Sequence, residues 1–148
     1  MKTILVPVDL SAATAPVCDA ACDLAQRIGA RLELLHIVEP PPVVMSDYYA
    51  FDAGAMASAV AAGEKYANEE LRDLGARCAR KRVRVRTVQR TGHAVTEIVS
   101  EAAARRAVYI VIGSHGHTAV YDLLVGSTTQ GVLRKAPCPV LVVPVAEG

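Results

Sequence analysis

The segment Val111–Gln130, VIGSHGHTAVYDLLVGSTTQ, carries the most informative structural signal in the sequence. It opens with branched apolar residues that are typical of a buried β-strand, and Gly113 ends that run. After an interval, a second glycine is followed by three hydroxyl-bearing residues, Gly126-Ser127-Thr128-Thr129. Glycines and hydroxyls that follow a buried strand in this way are typical of a loop that holds an anion.

The composition favours a single α/β domain. A chain of 148 residues has the usual size of one domain and can bury a substantial core. Hydrophobic residues make up 52% of the chain, whereas aromatic residues make up 4% and tryptophan is absent. Val, Leu, Ile and Ala must therefore form the core, which suits a parallel sheet covered on both faces by alanine-rich helices.

Charge, cysteine spacing and hydropathy exclude several classes of partner. Sixteen Lys and Arg residues against fifteen Asp and Glu residues give a net charge of +1, which argues against nucleic acid as the principal partner. The four cysteines lack the spacing of a metal site or a disulfide framework, and Cys18 and Cys22 share one helix face as small core residues. No run fits a signal peptide or a membrane span. We therefore expect a soluble, reduced, cytoplasmic protein without membrane insertion.

Strand and helix patterns alternate along the chain. Short runs of branched apolar residues predict five strands, at Thr3–Val8, Arg31–Val38, Val83–Gln89, Val108–Ile112 and Pro139–Val143. Alanine-rich stretches between them predict four helices, at Ala13–Gly29, Ala55–Lys81, His93–Arg106 and Thr128–Lys135. Strand–helix–strand units joined by right-handed crossovers predict one open parallel sheet with helices on both faces.

Local signals mark the ends of the first helix and one face of the third. Ser11 is placed to cap the first helix, Pro16 fits its first turns, and Gly29 is placed to end it. The third helix presents apolar side chains at i, i+3, i+4 and i+7, beginning at Val95, so this face is expected to pack on the sheet.

Two segments depart from the pattern. Glu39–Ala55 is a long connection that contains prolines, Tyr48, Tyr49 and Phe51, and it fits either a lid or partner surface or an excursion without function. Arg77–Arg90 carries seven basic residues, and its alternating arginines and valines predict a strand with one charged face. Because a central strand could not bury that face, we expect an edge strand. The alternative, a nucleic-acid groove, lacks interleaved aromatic residues.

The ends of the first and fourth strands are the expected location of a ligand. Ligands of open α/β sheets bind at the carboxyl ends of strands where the strand order reverses. The first strand ends in VPVDLS and the fourth in VIGSHG. If the order is 3-2-1-4-5, these ends are neighbours, and Asp9 and Gly113 flank one crevice. Asp9 supplies a carboxylate suited to ribose hydroxyls, to a base or to a metal ion.

The chemistry of this crevice suits a nucleotide. Gly113 and Gly116 lack β-carbons, so backbone N–H groups can approach an anion closely. Gly126 and Ser127 open the next helix, whose free N–H groups and dipole favour phosphate. The hydroxyls of Ser127 and Thr129 are placed to donate to phosphate oxygens or to reach a divalent cation.

The familiar nucleotide motifs do not match. The sequence has no GxxxxGK[ST] segment and no GxGxxG after the first strand, which argues against a P-loop protein and a dinucleotide-binding domain. It instead resembles the universal stress proteins, because Gly113, two residues, Gly116, nine residues and then Gly126-Ser127 match that family's ATP-binding pattern. The opening ILVPVDLS, the second strand LELLHIVEP and the closing VLRKAPCPVLVVPV extend the resemblance along nearly the whole chain, as one domain.

The resemblance implies a Rossmann-like fold of the adenine nucleotide α-hydrolase type, with five parallel strands in the order 3-2-1-4-5. It also implies ATP, or ADP or AMP, with Mg²⁺ held through the phosphates and with Asp9 or Ser127 in reach. The nucleotide-binding residues that it implies are Pro7, Val8, Asp9, Ile37, Ile112, Gly113, His115, Gly116, His117, Gly126, Ser127, Thr128 and Thr129. The last strand, Pro139–Val143, is implied to pair with its twofold mate in a homodimer.

One departure from the family pattern lies in the phosphate loop. His117 stands where relatives often carry Arg or Lys, so the loop lacks a permanent positive charge at that position. A neutral histidine donates a single hydrogen bond, and its charge depends on pH. The affinity of the loop for phosphate is therefore expected to differ from that of such relatives.

The sequence offers binding chemistry without a catalytic apparatus. Phosphoryl transfer needs a positioned nucleophile and charge stabilisation, and no Lys or Arg lies between Arg106 and Arg134. The polar side chains near the loop form no recognisable base–nucleophile pair; they are His115, His117, Asp122 and Asp9. We interpret the chain as an ATP-binding signalling or stress-response module with no catalytic residues and with an unnamed protein partner. The alternatives are a slow ATPase or nucleotide-transferring enzyme, although HIGH and KMSKS motifs are absent, and a structural partner protein with an unused loop.

Overall fold

The computed structural model describes residues 1–40, 53–116 and 125–145. Strands and helices alternate in the order β1 (Thr3–Pro7), α1 (Thr14–Ile28), β2 (Arg31–Val38), α2 (Ala53–Arg80), β3 (Val85–Thr91), α3 (Ala94–Ala104), β4 (Tyr109–Gly113), α4 (Ser127–Lys135) and β5 (Val140–Val143). Every predicted element is present, and its ends lie within two residues of the predicted ones. Most of Glu39–Ala55, with its three aromatic residues, lies outside the described residues. None of the helices in the described ranges combines the length and the hydropathy that a membrane span requires.

The five strands form one parallel sheet in the order β3-β2-β1-β4-β5, which confirms the predicted order. β1 lies in the centre, where Thr3 is in register with Arg31 of β2 and Ile4 is in register with Tyr109 of β4. The chain adds β2 and β3 on one side of β1 and then crosses to add β4 and β5 on the other. The carboxyl ends of β1 and β4 are therefore adjacent where the strand order reverses.

Aliphatic side chains fill the core on both faces of the sheet. Successive residues of β1 alternate, so that Ile4 and Val6 pack under α1 and α2 whereas Leu5 packs under α3 and α4. All three side chains are completely buried. The two faces together confirm the core of Val, Leu, Ile and Ala that the composition predicts.

The amino end of α1 differs from the prediction in detail. Ser11 is not the N-cap residue, because Ser11–Ala13 form a preceding turn in which the carbonyl of Ser11 accepts from the N–H of Thr14 at 3.1 Å. The Ser11 hydroxyl instead accepts from the N–H of Ala13 at 3.2 Å. At the other end, Gly29 adopts φ 66° and ends the helix as predicted.

β3 is an edge strand, as its arginine pattern predicts. It begins at Val85, two residues later than predicted, because Arg82 adopts the left-handed conformation (φ 61°) and turns the chain before the strand. Arg86 lies on the strand with 52% of its side chain exposed. Its charge therefore remains in contact with water, as expected for a protected sheet edge.

Three cysteines pack between α1 and α2 as core residues. Cys18, Cys22 and Cys78 are buried and free, which confirms the core role predicted for the first two. Burial raises the pKa of the Cys22 thiol to about 12, so this thiol stays protonated at neutral pH. Above them, Asp19 on α1 accepts from Lys81 at 2.7 Å and from Arg77 at 3.2 Å.

Glu33 is a buried acidic residue on β2, opposite Arg86 of β3, and the apolar strand pattern did not predict its burial. Arg105 lies 3.2 Å from Glu33 and 2.9 Å from Glu101 of α3. Burial, together with a hydrogen bond to Glu101, raises the pKa of Glu33. Burial also pushes the pKa of Glu101 upward, but hydrogen bonds to Glu33 and Arg105 outweigh it and leave that pKa lowered. Glu33 is therefore the more easily protonated member of the pair.

Candidate functional site

A cleft of about 270 Å³ opens at the carboxyl ends of β1 and β4, where the predicted crevice was expected. Residues from three strands, three helices and their connections surround it. They are Pro7, Val8, Asp9, Ala13, Thr14, Val17, Leu35, Ile37, Glu39, Ala94, Ile98, Ile112, Gly113, His115, Gly116, Gly126, Ser127, Thr128 and Thr129. Twelve of the thirteen predicted site residues are in this set, and the thirteenth, His117, lies outside the described residues.

Asp9 lines the cleft, and its side chain is held by the turn that follows. One carboxylate oxygen accepts from the Ser11 N–H at 3.0 Å and from the Ser11 hydroxyl at 2.6 Å. The second oxygen lies where a β-carbon on residue 116 would be, so the two would overlap. Gly116 is therefore required for the close approach of the loop after β4 to the aspartate that ends β1.

The end of β1 is fixed by hydrogen bonds to β2. The N–H of Val8 donates to the carbonyl of Leu35 at 2.8 Å, and the carbonyl of Val8 lies 2.9 Å from Nδ1 of His36. Because a carbonyl oxygen only accepts, Nδ1 of His36 must carry the proton in this contact. These contacts fix the position of the backbone next to Asp9.

Gly113 and Thr129 make close contacts at the junction between β4 and α4. A β-carbon at Gly113 would lie 3.2 Å from Val17 of α1 and 3.3 Å from the carbonyl of His115, so this glycine permits close packing of the fold. Thr129 is buried, and its hydroxyl donates to the carbonyl of Gly113 at 2.8 Å. The Thr129 hydroxyl therefore ties α4 to β4, which is a different role from the phosphate contact predicted for it.

The amino end of α4 opens into the cleft without a side-chain cap. Gly126 is the N-cap residue and has extended backbone (φ −71°, ψ 167°), and its own N–H donates to the carbonyl of Ser114 at 2.7 Å. The N–H groups of the first helical turn have no acceptor within the helix. Ser127 is exposed and Thr128 half-buried on this turn. The helix thus presents backbone donors and the positive end of its dipole to an anion.

An apolar wall faces this polar end across the cleft. Leu35 and Ile37 supply it from β2, and Ala94 and Ile98 from α3. Glu39 accepts from the N–H of Ala94 at 3.1 Å and so caps α3 from a position 55 residues away. Besides Ile98, to which the apolar face predicted for α3 already pointed, six lining residues were not predicted as part of the site; they are Ala13, Thr14, Val17, Leu35, Glu39 and Ala94.

His115 and Ser114 form a contact that does not amount to a catalytic pair. Nδ1 of His115 lies 3.3 Å from the hydroxyl oxygen of Ser114. Ser114 is buried, and its hydroxyl oxygen accepts from the N–H of Val145 at 3.0 Å. That hydroxyl therefore joins the loop after β4 to the segment after β5, and it is not presented to the cleft as a nucleophile.

Comparison with known proteins places these features in one family. A sequence model described as the universal stress protein family matches residues 1–144. The protein named universal stress protein in QAH/OAS sulfhydrylase 3′ region, from Thermus aquaticus, is 32% identical over 142 residues, which cover 96% of this chain and 98% of that protein.

Solved structures share the fold over almost the whole chain. Universal stress protein UspA from Lactobacillus plantarum superposes with a TM-score of 0.81 at 28% identity, covering 96% of this chain and 97% of that one. The universal stress protein of Archaeoglobus fulgidus in complex with dAMP has a TM-score of 0.66 at 20% identity, covering 96% and 97%. The second likeness is one of fold alone.

Proposed function

This chain belongs to the universal stress protein family, and on that premise we propose that it binds an adenine nucleotide, ATP, in the cleft between β1 and β4. We propose further that it acts as a nucleotide-dependent signalling module in a stress response, and not as an enzyme. The observation that carries the proposal is the uncapped amino end of α4, which opens into the cleft opposite Asp9.

The polar half of the cleft supports a phosphate site. Backbone donors at Ser127 and Thr128, strengthened by the dipole of a nine-residue helix, suit phosphate oxygens without a basic side chain. The exposed hydroxyl of Ser127 adds a further donor. Gly116 allows the loop after β4 to lie against Asp9. A nucleotide whose ribose hydroxyl is hydrogen-bonded to Asp9 would therefore have its phosphates near the amino end of α4.

The apolar half supports a base site. Ile37 and Ile98 lie on two different elements and give the cleft two apolar sides, as the flat faces of adenine require. The Archaeoglobus fulgidus protein of the same fold is in complex with dAMP, which supports an adenine nucleotide as the ligand class. That complex is a property of the other protein, and for this chain it is the basis of a proposal.

Mg²⁺ fits the proposed site as a companion of the phosphates. Among the described residues no three potential metal ligands cluster together. One oxygen of Asp9 already accepts two hydrogen bonds from Ser11. Mg²⁺ is commonly held by phosphates, waters and one or two protein oxygens, so Asp9 and the Ser127 hydroxyl are the groups that would complete its shell.

We propose that the protein assembles as a homodimer through its last strand. β5 is an edge of the sheet, and Leu141 at its centre is 42% exposed. An apolar edge strand is usually covered by a partner or by another element. Sedimentation of the purified protein as a monomer throughout the micromolar range would contradict this assembly.

Thermal unfolding with ATP and Mg²⁺ tests the site. At about 100 times the dissociation constant, the ligand should add about 2.7 kcal/mol to the free energy of unfolding, or roughly 5–10 °C to the Tm. Gly116→Leu should abolish this shift, because its side chain must displace the carboxylate of Asp9. Gly63→Leu is the matched control, since nothing lies within 4 Å of a β-carbon there. A Gly116→Leu protein that responds to ATP like the parent would show that the site has been misplaced.

ADP release separates the signalling module from the slow ATPase that remains the alternative. A binding module should form ADP over hours no faster than its Asp9→Ala variant does, whereas a slow ATPase should form ADP faster than that variant while staying below about one molecule per second, the slow end of ordinary enzyme turnover. Turnover at or above that rate, lost in Asp9→Ala, would show that the protein is an enzyme.

A further inference from the structure

A row of cationic side chains lies at the opposite edge of the sheet, where the strands begin. The row consists of Lys2, Arg31, Arg82, Arg84 and Arg106, and all five are exposed. Lys2 precedes β1, Arg31 is the first residue of β2, Arg84 immediately precedes β3, and Arg106 belongs to the turn before β4. We call this set the basic edge.

Backbone hydrogen bonds show that the basic edge is continuous. The N–H of Arg31 donates to the carbonyl of Lys2 at 2.9 Å, and the N–H of Leu32 donates to the carbonyl of Arg84 at 2.8 Å. On the other side of β1, the N–H of Val108 donates to the carbonyl of Thr3 at 2.9 Å. Basic side chains therefore lie at or just before the starts of four adjacent strands, and at ordinary strand spacing the row is about 15 Å long.

The charges of the basic edge are not neutralised within the described part of the chain. None of its five side chains is in an ion pair there, and three acidic residues of the described chain are paired with basic residues outside the row. Asp19 binds Arg77 and Lys81, while Glu33 and Glu101 are buried against Arg105.

Two arginines of the basic edge adopt a conformation that favours glycine. Arg82 has φ 61° and Arg106 has φ 50°, and each follows the end of a helix. Glycine is the residue that adopts this left-handed conformation without a steric cost. Arginine at both positions therefore keeps a charge where the backbone alone would select glycine.

The dipoles of the helices account for only part of the basic edge. Basic residues near the last turn of a helix stabilise its negative end, and Arg82 and Arg106 are placed for that effect. Lys2, Arg31 and Arg84 instead lie at the starts of strands, outside any helix. A row that extends across strand starts needs another explanation.

We propose that the basic edge binds an acidic segment of a partner protein. Arginine guanidinium groups pair with carboxylates in bidentate fashion, and a row about 15 Å long matches a short extended segment of glutamates or aspartates. A short segment senses only the charges within a Debye length of about 8–10 Å, so the net charge of +1 on the whole chain does not weaken the contact.

The same charge balance disfavours the two other polyanions. A nucleic acid extends beyond the basic edge and meets the acidic remainder of a nearly neutral molecule. A bilayer surface is favoured by several exposed apolar or aromatic anchors, and in the described chain Met1, 71% exposed, is the large apolar side chain directly beside the row. The inference is independent of the nucleotide site, which lies at the other edge of the sheet.

Fluorescence anisotropy with a fluorescein-labelled octaglutamate peptide tests this proposal at about 50 mM salt. The double variant Arg82→Gly/Arg106→Gly removes two charges and relieves the backbone at both positions. We expect it to bind the peptide roughly fivefold more weakly or worse, as the loss of two exposed ion pairs predicts, without a lower Tm. Lys65→Ala/Arg72→Ala removes the same charge from exposed positions on α2 and should bind like the parent.

Several outcomes would overturn the proposal. One is unchanged peptide affinity in the double glycine variant, and another is an equal loss of affinity in the α2 control. A lower Tm with unchanged binding would show that the arginines only compensate the helix dipoles. Tighter binding of a DNA duplex, or of phosphatidylserine vesicles, than of the peptide would assign the basic edge to a different class of partner.

Discussion

Substitution of Gly131 by alanine should show how tightly α4 packs against α3. Gly131 lies in the middle of α4, facing α3. A β-carbon there would lie 2.7 Å and 3.1 Å from the two methyl carbons of Val95 and 3.5 Å from its β-carbon. Since valine is branched at the β-carbon and stiff at χ1, Val95 cannot turn both methyl groups away. Either α3 or α4 must move.

Two opposing terms set the size of the effect. Alanine in place of glycine inside a helix gains about 0.8–1.0 kcal/mol of helix stability. Overpacking of a close contact costs about 1–3 kcal/mol. The net loss in the free energy of unfolding is therefore about 1 kcal/mol, within a range of about 0–2 kcal/mol, and the Tm should fall by about 2–4 °C.

A double-mutant cycle with Val95→Ala tests the origin of this loss. With Val95 truncated, Gly131→Ala should reverse sign and stabilise the protein by about 1 kcal/mol, because only the gain in helix propensity remains. Urea unfolding of the parent, both single variants and the double variant measures the four free energies. If Gly131→Ala stabilises the parent as well, Val95 yields to the new methyl group and the reasoning from the contact is wrong.

Two further predictions concern hydroxyl groups and pH. Ser127→Ala should leave the free energy of unfolding within about 0.5 kcal/mol of the parent and weaken ATP binding, whereas Thr129→Val should cost about 1–3 kcal/mol because it leaves the carbonyl of Gly113 unpaired. Urea unfolding and calorimetric titration would contradict this if the two outcomes were exchanged. The hydrogen bond from Lys81 lowers the pKa of Asp19, so its stabilisation is present above the unfolded-state pKa and is lost as pH falls through the folded one. Asp19→Asn should therefore be less stable than the parent at about pH 7, and the difference in unfolding midpoints should shrink as pH falls below the unfolded-state pKa; a difference that does not change with pH would contradict the assignment.

The sequence predicts the strands and their order because their signals are local and repeated. Buried branched residues such as Ile4 and Leu34 form runs that end at glycine or proline, and alanine-rich helices separate the runs. The alternating pattern predicts the start of β3 two residues early, because it continues through Val83, which is buried. Only the backbone shows that Arg82 turns the chain in the left-handed conformation first.

The candidate site is predicted well in its membership and less well in the roles of its residues. The spacing of the glycine motif predicts that Gly116 and Asp9 lie close together. It does not show which of two hydroxyl groups on one helical turn points into the fold. Thr129 bonds to Gly113, and Glu39 caps α3 across 55 residues. Both contacts depend on the three-dimensional path of the chain, which leaves no local signal in the sequence.

The direction of the helices explains why the two edges of the sheet use different chemistry. In a parallel α/β fold each helix runs opposite to the strands, so helix amino ends gather at the carboxyl edge. Backbone dipoles therefore make that edge attractive to anions, and the cleft needs no arginine or lysine among its described lining residues. The negative helix ends gather at the other edge, where Lys2, Arg31 and Arg84 must supply positive charge through exposed side chains. Exposed charges are screened by salt far more than buried amides, so binding at the basic edge should be reversible with ionic strength while binding in the cleft persists.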